Sequence, residues 1–160
     1  HCSAPWIGSI PADGQVDESD VVRLFQVGAK QGDRILKVRR RFRMDGLRRK
    51  VVSIIYNVLI NLLFGPLGSI DINGVPKIFP ATVYRRMRLC STDWFLDPEL
   101  MIKARRMKIP VTEMNVLAQA REGGTSSVGT STITEFLKNL LHARLFGLPN
   151  APESLEAETR

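Results

Sequence analysis

The residues with the types and spacing for chemistry fall into five groups. The first is Ala12-Asp13-Gly14-Gln15, at the end of the short apolar run Trp6 to Ile10. A strand that stops in this way projects its last side chains into the crevice at its C-terminal end. Asp13 supplies a carboxylate there, and Gln15 is close enough in the chain to share a ligand with it. The bland alternative is a simple Asp-Gly turn. The second group is a basic run in which Lys37, Arg39, Arg40, Arg41, Arg43, Arg48, Arg49 and Lys50 face a single acid, Asp45. Arginine forks match phosphate oxygens in bidentate fashion, so the run reads as a phosphate clamp or else as a solvated loop. The third is Asp71 with Lys77, in a loop that holds the strong turn signal Asn73-Gly74. The fourth is Asp93, a site carboxylate or a spare helix cap. The fifth is Arg121-Glu122-Gly123-Gly124-Thr125-Ser126-Ser127. Its glycines let backbone approach an anion, and Arg121 and the hydroxyls can bind one.

Hydrophobic patterning gives the elements that must position these groups. Asp17 is a predicted N-cap, with Asp20 three residues on, for a helix to about Gly28. Arg34 to Val38 reads as a strand. Val51 to Phe64 reads as a helix whose polar positions Ser53, Asn57 and Asn61 recur every four residues and line one face. It is too short and too interrupted to span a membrane. It is a core helix, or a helix lying partly against lipid. Pro76 and Pro80 argue against a central strand around them and favour a surface hairpin. A short basic helix follows at Val83 to Met87. Asp97-Pro98 predicts a helix start, with Asp97 as N-cap and Pro98 at the first helical position. Ile109 to Leu117 reads as a strand, and Thr132 with Glu135 as a capping box for a last helix. From Gly147 the chain reads as a disordered tail.

The chain has 160 residues, 44% of them hydrophobic, which is enough for one domain or part of one. Cys2 and Cys90 have no metal-ligand spacing and are too few for a disulfide framework. His1 and His142 lie far apart, which argues against a histidine metal site or a Ser-His-Asp triad. The net charge of +7 favours anionic partners. Phe42 is the only aromatic residue in the basic run, and no nucleic-acid-binding module is visible, so nucleic acid is not the implied partner. The chain opens almost directly into a strand, which predicts a fragment or a chain truncated at its N-terminus.

These five groups, forming four motifs in this order, resemble the C-terminal half of a family 2 glycosyltransferase of the kind related to dolichol-phosphate mannosyltransferase and other polyprenyl-phosphate sugar transferases. The likeness runs from about Trp6 to about Gly147. Ala12-Asp13-Gly14-Gln15 is similar to the end of the family's Asp-Ala-Asp-Gly-Gln motif. Val38-Arg39-Arg40 is similar to the strand ending in Ser-Arg. Asp71 to Phe79 resembles the Asp-x-x-Gly-x-x-Lys stretch. Asp93 to Leu100, with Arg121 to Ser127, resembles the acidic helix start and the Arg-x-x-Gly-x-Ser loop. Two positions depart from the pattern. Pro11 stands at the first metal-motif aspartate, and Val128 stands where a basic residue is common.

The resemblance implies an α/β fold, a partial GT-A domain with a Rossmann-like mixed sheet flanked by helices, whose nucleotide-binding half precedes His1. Residues 1–146 would form the C-terminal portion of one catalytic domain, and 147–160 its tail. It implies inverting transfer of a sugar from a nucleotide-sugar donor to an acceptor such as a polyprenyl phosphate. Asp13 and Gln15 would hold Mg²⁺ or Mn²⁺, both of which favour oxygen ligands. Arg39, Arg40, Arg49, Arg121 and Ser126 would bind donor or acceptor phosphates. Asp93 or Asp71 would serve as general base if the acceptor were a hydroxyl. The implied location is peripheral, at the cytoplasmic face of a membrane. The competing expectation, favoured by Pro11, is a catalytically impaired relative that acts as a membrane-associated binding or partner subunit.

Overall fold

The computed structural model describes residues 3–11, 16–43, 47–118 and 130–148; the side chains of 41–50, 118 and 130–133 are outside it. The chain is α/β, with a four-stranded mixed sheet flanked by helices. In order, its elements are β1 (Trp6–Ser9), α1 (Glu18–Gly28), a 3-10 turn (Ala29–Gln31), β2 (Ile35–Arg43), α2 (Leu47–Phe64), β3 (Lys77–Pro80), α3 (Ala81–Met87), α4 (Leu96–Arg106), β4 (Val111–Ala118) and α5 (Thr130–Leu145). The strand order is β1-β3-β2-β4. β3 is antiparallel to both β1 and β2, and β2 is parallel to β4, with a register shift between Arg40 and Phe42.

Alternation along the strands sends side chains to two cores. On one face, Leu36, Val38, Ile78 and Val116 pack with Leu24 of α1. Trp6 and Phe25 meet edge to face at 5.3 Å on this side. The predicted cap of α1 is in place, because Asp17 accepts the Ser19 N–H at 2.8 Å. The other face carries the larger core. There Ile35 and Phe79 pack with Tyr56 and Ile60 of α2, Met101 and Ala104 of α4, and Leu140 of α5.

Several boundaries differ from those read in the sequence. The basic run is not one loop: Lys37 to Arg43 lies in β2, and α2 begins at Leu47. Parallel pairing with β4 gives the arginine-rich strand backbone partners that local composition does not reveal. β1 is an edge strand, and its Gly8 and Ser9 are exposed. The prolines do not keep β3 from the middle of the sheet. Pro76 precedes the strand and Pro80 is its last residue, so neither removes a donor from its interior. The Asp71 to Pro80 stretch is correspondingly buried, not a surface hairpin. α4 starts at Leu96, ahead of the predicted Asp97 cap, and Asp97 lies in its first turn. α5 starts at Thr130, ahead of the predicted capping box. Leu148, assigned to the tail, is buried in the larger core; residues 149–160 lie outside the described residues.

The polar stripe of α2 points inward. Asn57 Oδ1 accepts the Ile72 N–H and Asn61 Oδ1 accepts the Leu67 N–H, both at 3.0 Å. The stripe thus fastens the helix to the chain that leads into β3. Tyr56 and Ile60 enter the core, while Val51, Ile54, Ile55, Val58 and Leu62 are exposed. α2 is therefore a core helix on one side and an uncovered apolar face on the other. No helix among the described residues is long and apolar enough to cross a membrane.

Candidate functional site

β1, β2 and β4 run in one direction and β3 runs against them. The C-terminal ends of β1, β2 and β4 therefore face the same edge of the sheet as the N-terminal end of β3, with β2 and β4 running on past the end of β1 and the start of β3 to Arg43 and Ala118. One register row crosses the sheet at the end of β1 and the start of β3, near the beginnings of β2 and β4: Ser9, Lys77, Lys37 and Glu113 are successive partners. Directly paired residues send their side chains to the same face. Two lysines and a glutamate are thus lined up beneath the helices of the larger core.

Both lysines are buried, and each has its own carboxylate. Lys37 Nζ is 3.0 Å from Glu113 Oε1, donates to Ser69 Oγ at 2.7 Å, and donates to the Asp71 carbonyl. Lys77 Nζ lies 2.5 Å from Asp97 Oδ1 at the start of α4. Burial pushes the Lys77 ammonium down to about 8; Asp97 pulls it back up and Lys37 pushes it further down. Burial also lowers Lys37, against the pull of Glu113 and Asp71. Burial acts to raise the Glu113 carboxyl, but Lys37 and hydrogen bonds from Ser69 and Ile70 outweigh it, and Glu113 ends below its ordinary value.

The carboxylate of Asp71 is committed to Arg40. Arg40 Nε is 3.0 Å from Asp71 Oδ2 and Arg40 Nη2 is 3.1 Å from Oδ1, a bidentate fork; Nη2 also donates to the Asn73 carbonyl at 3.1 Å. These two sequence-predicted residues are therefore brought together, and each holds the other. A proton-accepting role for Asp71 would require breaking this pair. Gly74 makes the fold of this loop possible. A Cβ added to it would lie 2.2 Å from the Val38 carbonyl. Arg39, next along β2, pairs in register with Asn115 and has no hydrogen-bond partner among the described residues. Of the two neighbouring arginines, Arg39 is the one available to a ligand.

Asp93 sits apart from this row, ahead of α4. Its Oδ1 accepts the Phe95 N–H at 2.9 Å and its Oδ2 accepts from Asn139 Nδ2 of α5 at 3.0 Å. It acts as a local cap, and it also lines an open cleft of ≈ 300 Å³ with Ser91, Thr92, Phe95, Asn139 and His142. The strand of chain that forms one wall is anchored by buried Glu99, which accepts the Cys90 and Ser91 N–H groups and pairs with Lys103 at 2.5 Å.

Asp13, Gln15, Arg121 and Ser126 lie outside the described residues, as does the Arg49 side chain. Asp13 and Gln15 follow the end of β1, and Arg121 follows the end of β4. Among the described residues no group of three or more His, Cys, Asp or Glu side chains could hold a metal ion. The nearby Asp71 and Asp97 carboxylates already serve Arg40 and Lys77. Asp13 and Gln15 remain a hard-oxygen donor pair of the kind that suits Mg²⁺ or Mn²⁺.

From the sequence, Lys37 reads only as one charge of the basic run and Asp97 only as a helix cap, and Glu113 has no assigned role. The signal for Glu113 was present in the alternation of β4, where an acid occupies a position otherwise turned toward the core. An acid in such a position needs a buried cation, and only the register identifies Lys37 as that cation. No family model matches the chain. No solved structure matches it.

Proposed function

We propose that this chain carries the acceptor side of a GT-A glycosyltransferase domain that moves a sugar from a nucleotide-sugar donor to a polyprenyl phosphate. The observation that carries the proposal is the common direction of the strands: β1, β2 and β4 end toward the side of the sheet where β3 begins with Lys77, Arg39 lies on β2 beyond that level, and Asp13 and Arg121 follow β1 and β4 in the sequence. Open α/β sheets bind ligands at the C-terminal ends of their strands.

In this mechanism an acceptor phosphate oxygen attacks the anomeric carbon from the face opposite the leaving group. The bond from that carbon to the nucleotide's terminal phosphate oxygen breaks, and the electron pair leaves with the nucleoside diphosphate. The acceptor phosphate is already ionised at neutral pH, so no proton need be removed. Arg39 and Arg121 orient it, with Ser126 and Arg49 as further phosphate donors. Asp13 and Gln15 would hold Mg²⁺ or Mn²⁺, which supplies positive charge against the departing diphosphate. Arg40 acts through Asp71, fixing the loop before β3, and so is a positioning residue. Asp93 is held back as the base for a hydroxyl acceptor. The uncovered apolar face of α2 and the net positive charge favour peripheral contact at the cytoplasmic face of a membrane, where a lipid acceptor resides.

The test is sugar transfer by the full-length protein, from a panel of nucleotide sugars to polyprenyl phosphate, with and without Mn²⁺. Metal-dependent transfer that Asp13→Ala abolishes supports the enzyme. Pro11 favours a second function, that of a catalytically impaired partner subunit. Absence of transfer from every donor, with membrane binding retained, would assign that one instead.

A further inference from the structure

A cleft of ≈ 340 Å³ opens between the C-terminal ends of α2, α4 and α5, lined by Leu63, Phe64, Ile102, Arg105, Arg106, Ala143 and Arg144. α4 ends a few residues before β4 begins, so this cleft lies at the opposite end of β4 from the edge described above. Three of its lining residues are arginines and none is acidic.

Cations at helix C-termini complement the helix dipole, and that accounts for Arg105. Its Nη1 donates to the Phe64 carbonyl, which closes the end of α2. Gly65 allows this approach. It has φ +75°, and a Cβ on it would lie 1.9 Å from Arg105 Nη1. Arg106 and Arg144 also stand in last turns, of α4 and α5, and both are exposed, but they differ from Arg105 in their bonding. Neither has a hydrogen-bond or ion-pair partner among the described residues, although both line the same cleft. Helix C-termini and solvent offset part of this charge, but two guanidinium groups with no protein acceptor among the described residues still line one cleft with a third beside them. The planar fork of arginine matches phosphate oxygens. The apolar floor of Leu63, Phe64, Ile102 and Ala143 suits the organic part of an ester.

We infer that this cleft binds a phosphate-bearing anion, with Arg106 and Arg144 as its ligands and Arg105 as the fixed third charge. The inference is independent of the proposed sugar transfer, because it uses none of the residues at the other edge. The same chemistry has two sources: a free phosphate compound, or a phospholipid headgroup whose chains would meet exposed Leu62, Leu145 and Phe146 beside the cleft.

The experiment measures binding of the full-length protein to pyrophosphate by calorimetry, and to phosphatidylcholine vesicles with and without phosphatidic acid by flotation. Arg106→Gln/Arg144→Gln is compared with Arg85→Gln/Arg86→Gln, which removes the same charge from exposed positions of α3. Glutamine keeps the side-chain stem, and the single variant Arg106→Gln serves if the double one does not fold. Loss of affinity by about tenfold or more in the cleft variant, with the α3 variant near wild type, is the expected result. Loss for pyrophosphate identifies a free phosphate ligand, and loss for phosphatidic acid vesicles alone identifies a lipid headgroup. Equal loss in both double variants, or no binding of either probe by the wild type, would overturn the inference.

Discussion

Lys37 and Lys77 are direct partners across the β2–β3 pairing, and both are buried, at 0% and 1% exposure. Two cations side by side in a core persist because each has a carboxylate from a different element: Glu113 from β4 for Lys37, and Asp97 from α4 for Lys77. The row is therefore a pair of adjacent cations held between two carboxylates rather than a pair of isolated ions. Breaking one link leaves an uncompensated charge inside the molecule.

The first prediction concerns pH. Lys77 titrates at 10.5 when unfolded and at about 8 when folded. Between those values the unfolded chain binds more protons than the folded one, so stability rises as pH rises through that window. The contribution is absent below pH 8 and complete above the unfolded value; a shift of this size is worth at most about 3 kcal/mol. Urea unfolding compared at pH 8 and pH 9.5, below ordinary tyrosine titration, should show the gain. Lys37 shifts in the same direction, so Lys77→Met should reduce the slope without abolishing it. An unchanged slope in Lys77→Met would remove Lys77 from the explanation.

The second concerns the Arg40–Asp71 fork. Asp71→Ala leaves a largely buried guanidinium without its bidentate partner, and a cost of about 3 kcal/mol is expected. Lys37 still reaches the Asp71 carbonyl, which is backbone and survives the substitution. Arg40→Met/Asp71→Leu removes both charges and should cost less than the two single changes together. A coupling below about 0.5 kcal/mol in the double-mutant cycle would show that the two residues act independently.

The third concerns Tyr56 in α2. Its hydroxyl is buried and has no hydrogen-bond partner among the described residues. Burial and the nearby Asp97 and Asp93 charges push its pKa well above the ordinary tyrosine value. Tyr56→Phe removes an unpaired polar atom and keeps the ring against Phe136, at 5.1 Å between centroids. Thermal unfolding should show no loss, and a gain of up to about 1 kcal/mol. A clear loss would reveal a partner for the hydroxyl.

Much of the fold was legible where local chemistry decides it. Asp17 caps α1 because an Asx side chain can do so from three residues of sequence. The polar spacing of Ser53, Asn57 and Asn61 showed one face of α2. It did not show that this face points inward, because the backbone groups it satisfies, at Leu67 and Ile72, are brought there by tertiary structure. The central position of β3 and the charged row were hidden for the same reason. Pairing of Ser9, Lys77, Lys37 and Glu113 joins positions far apart in the chain, and only the sheet register brings them side by side. Asp71 and Arg40 were both read as site residues from their charge and from the resemblance; their mutual hydrogen bonds hold a loop.

The last prediction separates two kinds of acceptor through Asp93. Asp93→Asn retains an oxygen that can accept the Phe95 N–H, and Asn139 can turn its own amide oxygen toward the new NH₂ group. The local cap and the link to α5 therefore survive, and stability should change by less than about 1 kcal/mol. What the variant loses is the ability to accept a proton. With a polyprenyl phosphate acceptor, already ionised, sugar transfer by Asp93→Asn should stay within about tenfold of wild type. With a hydroxyl acceptor it should fall by roughly 10² to 10⁴, the usual share of a general base. A large loss with the phosphate acceptor, at unchanged stability, would place Asp93 in the reaction itself and count against arginine-dominated positioning on the acceptor side.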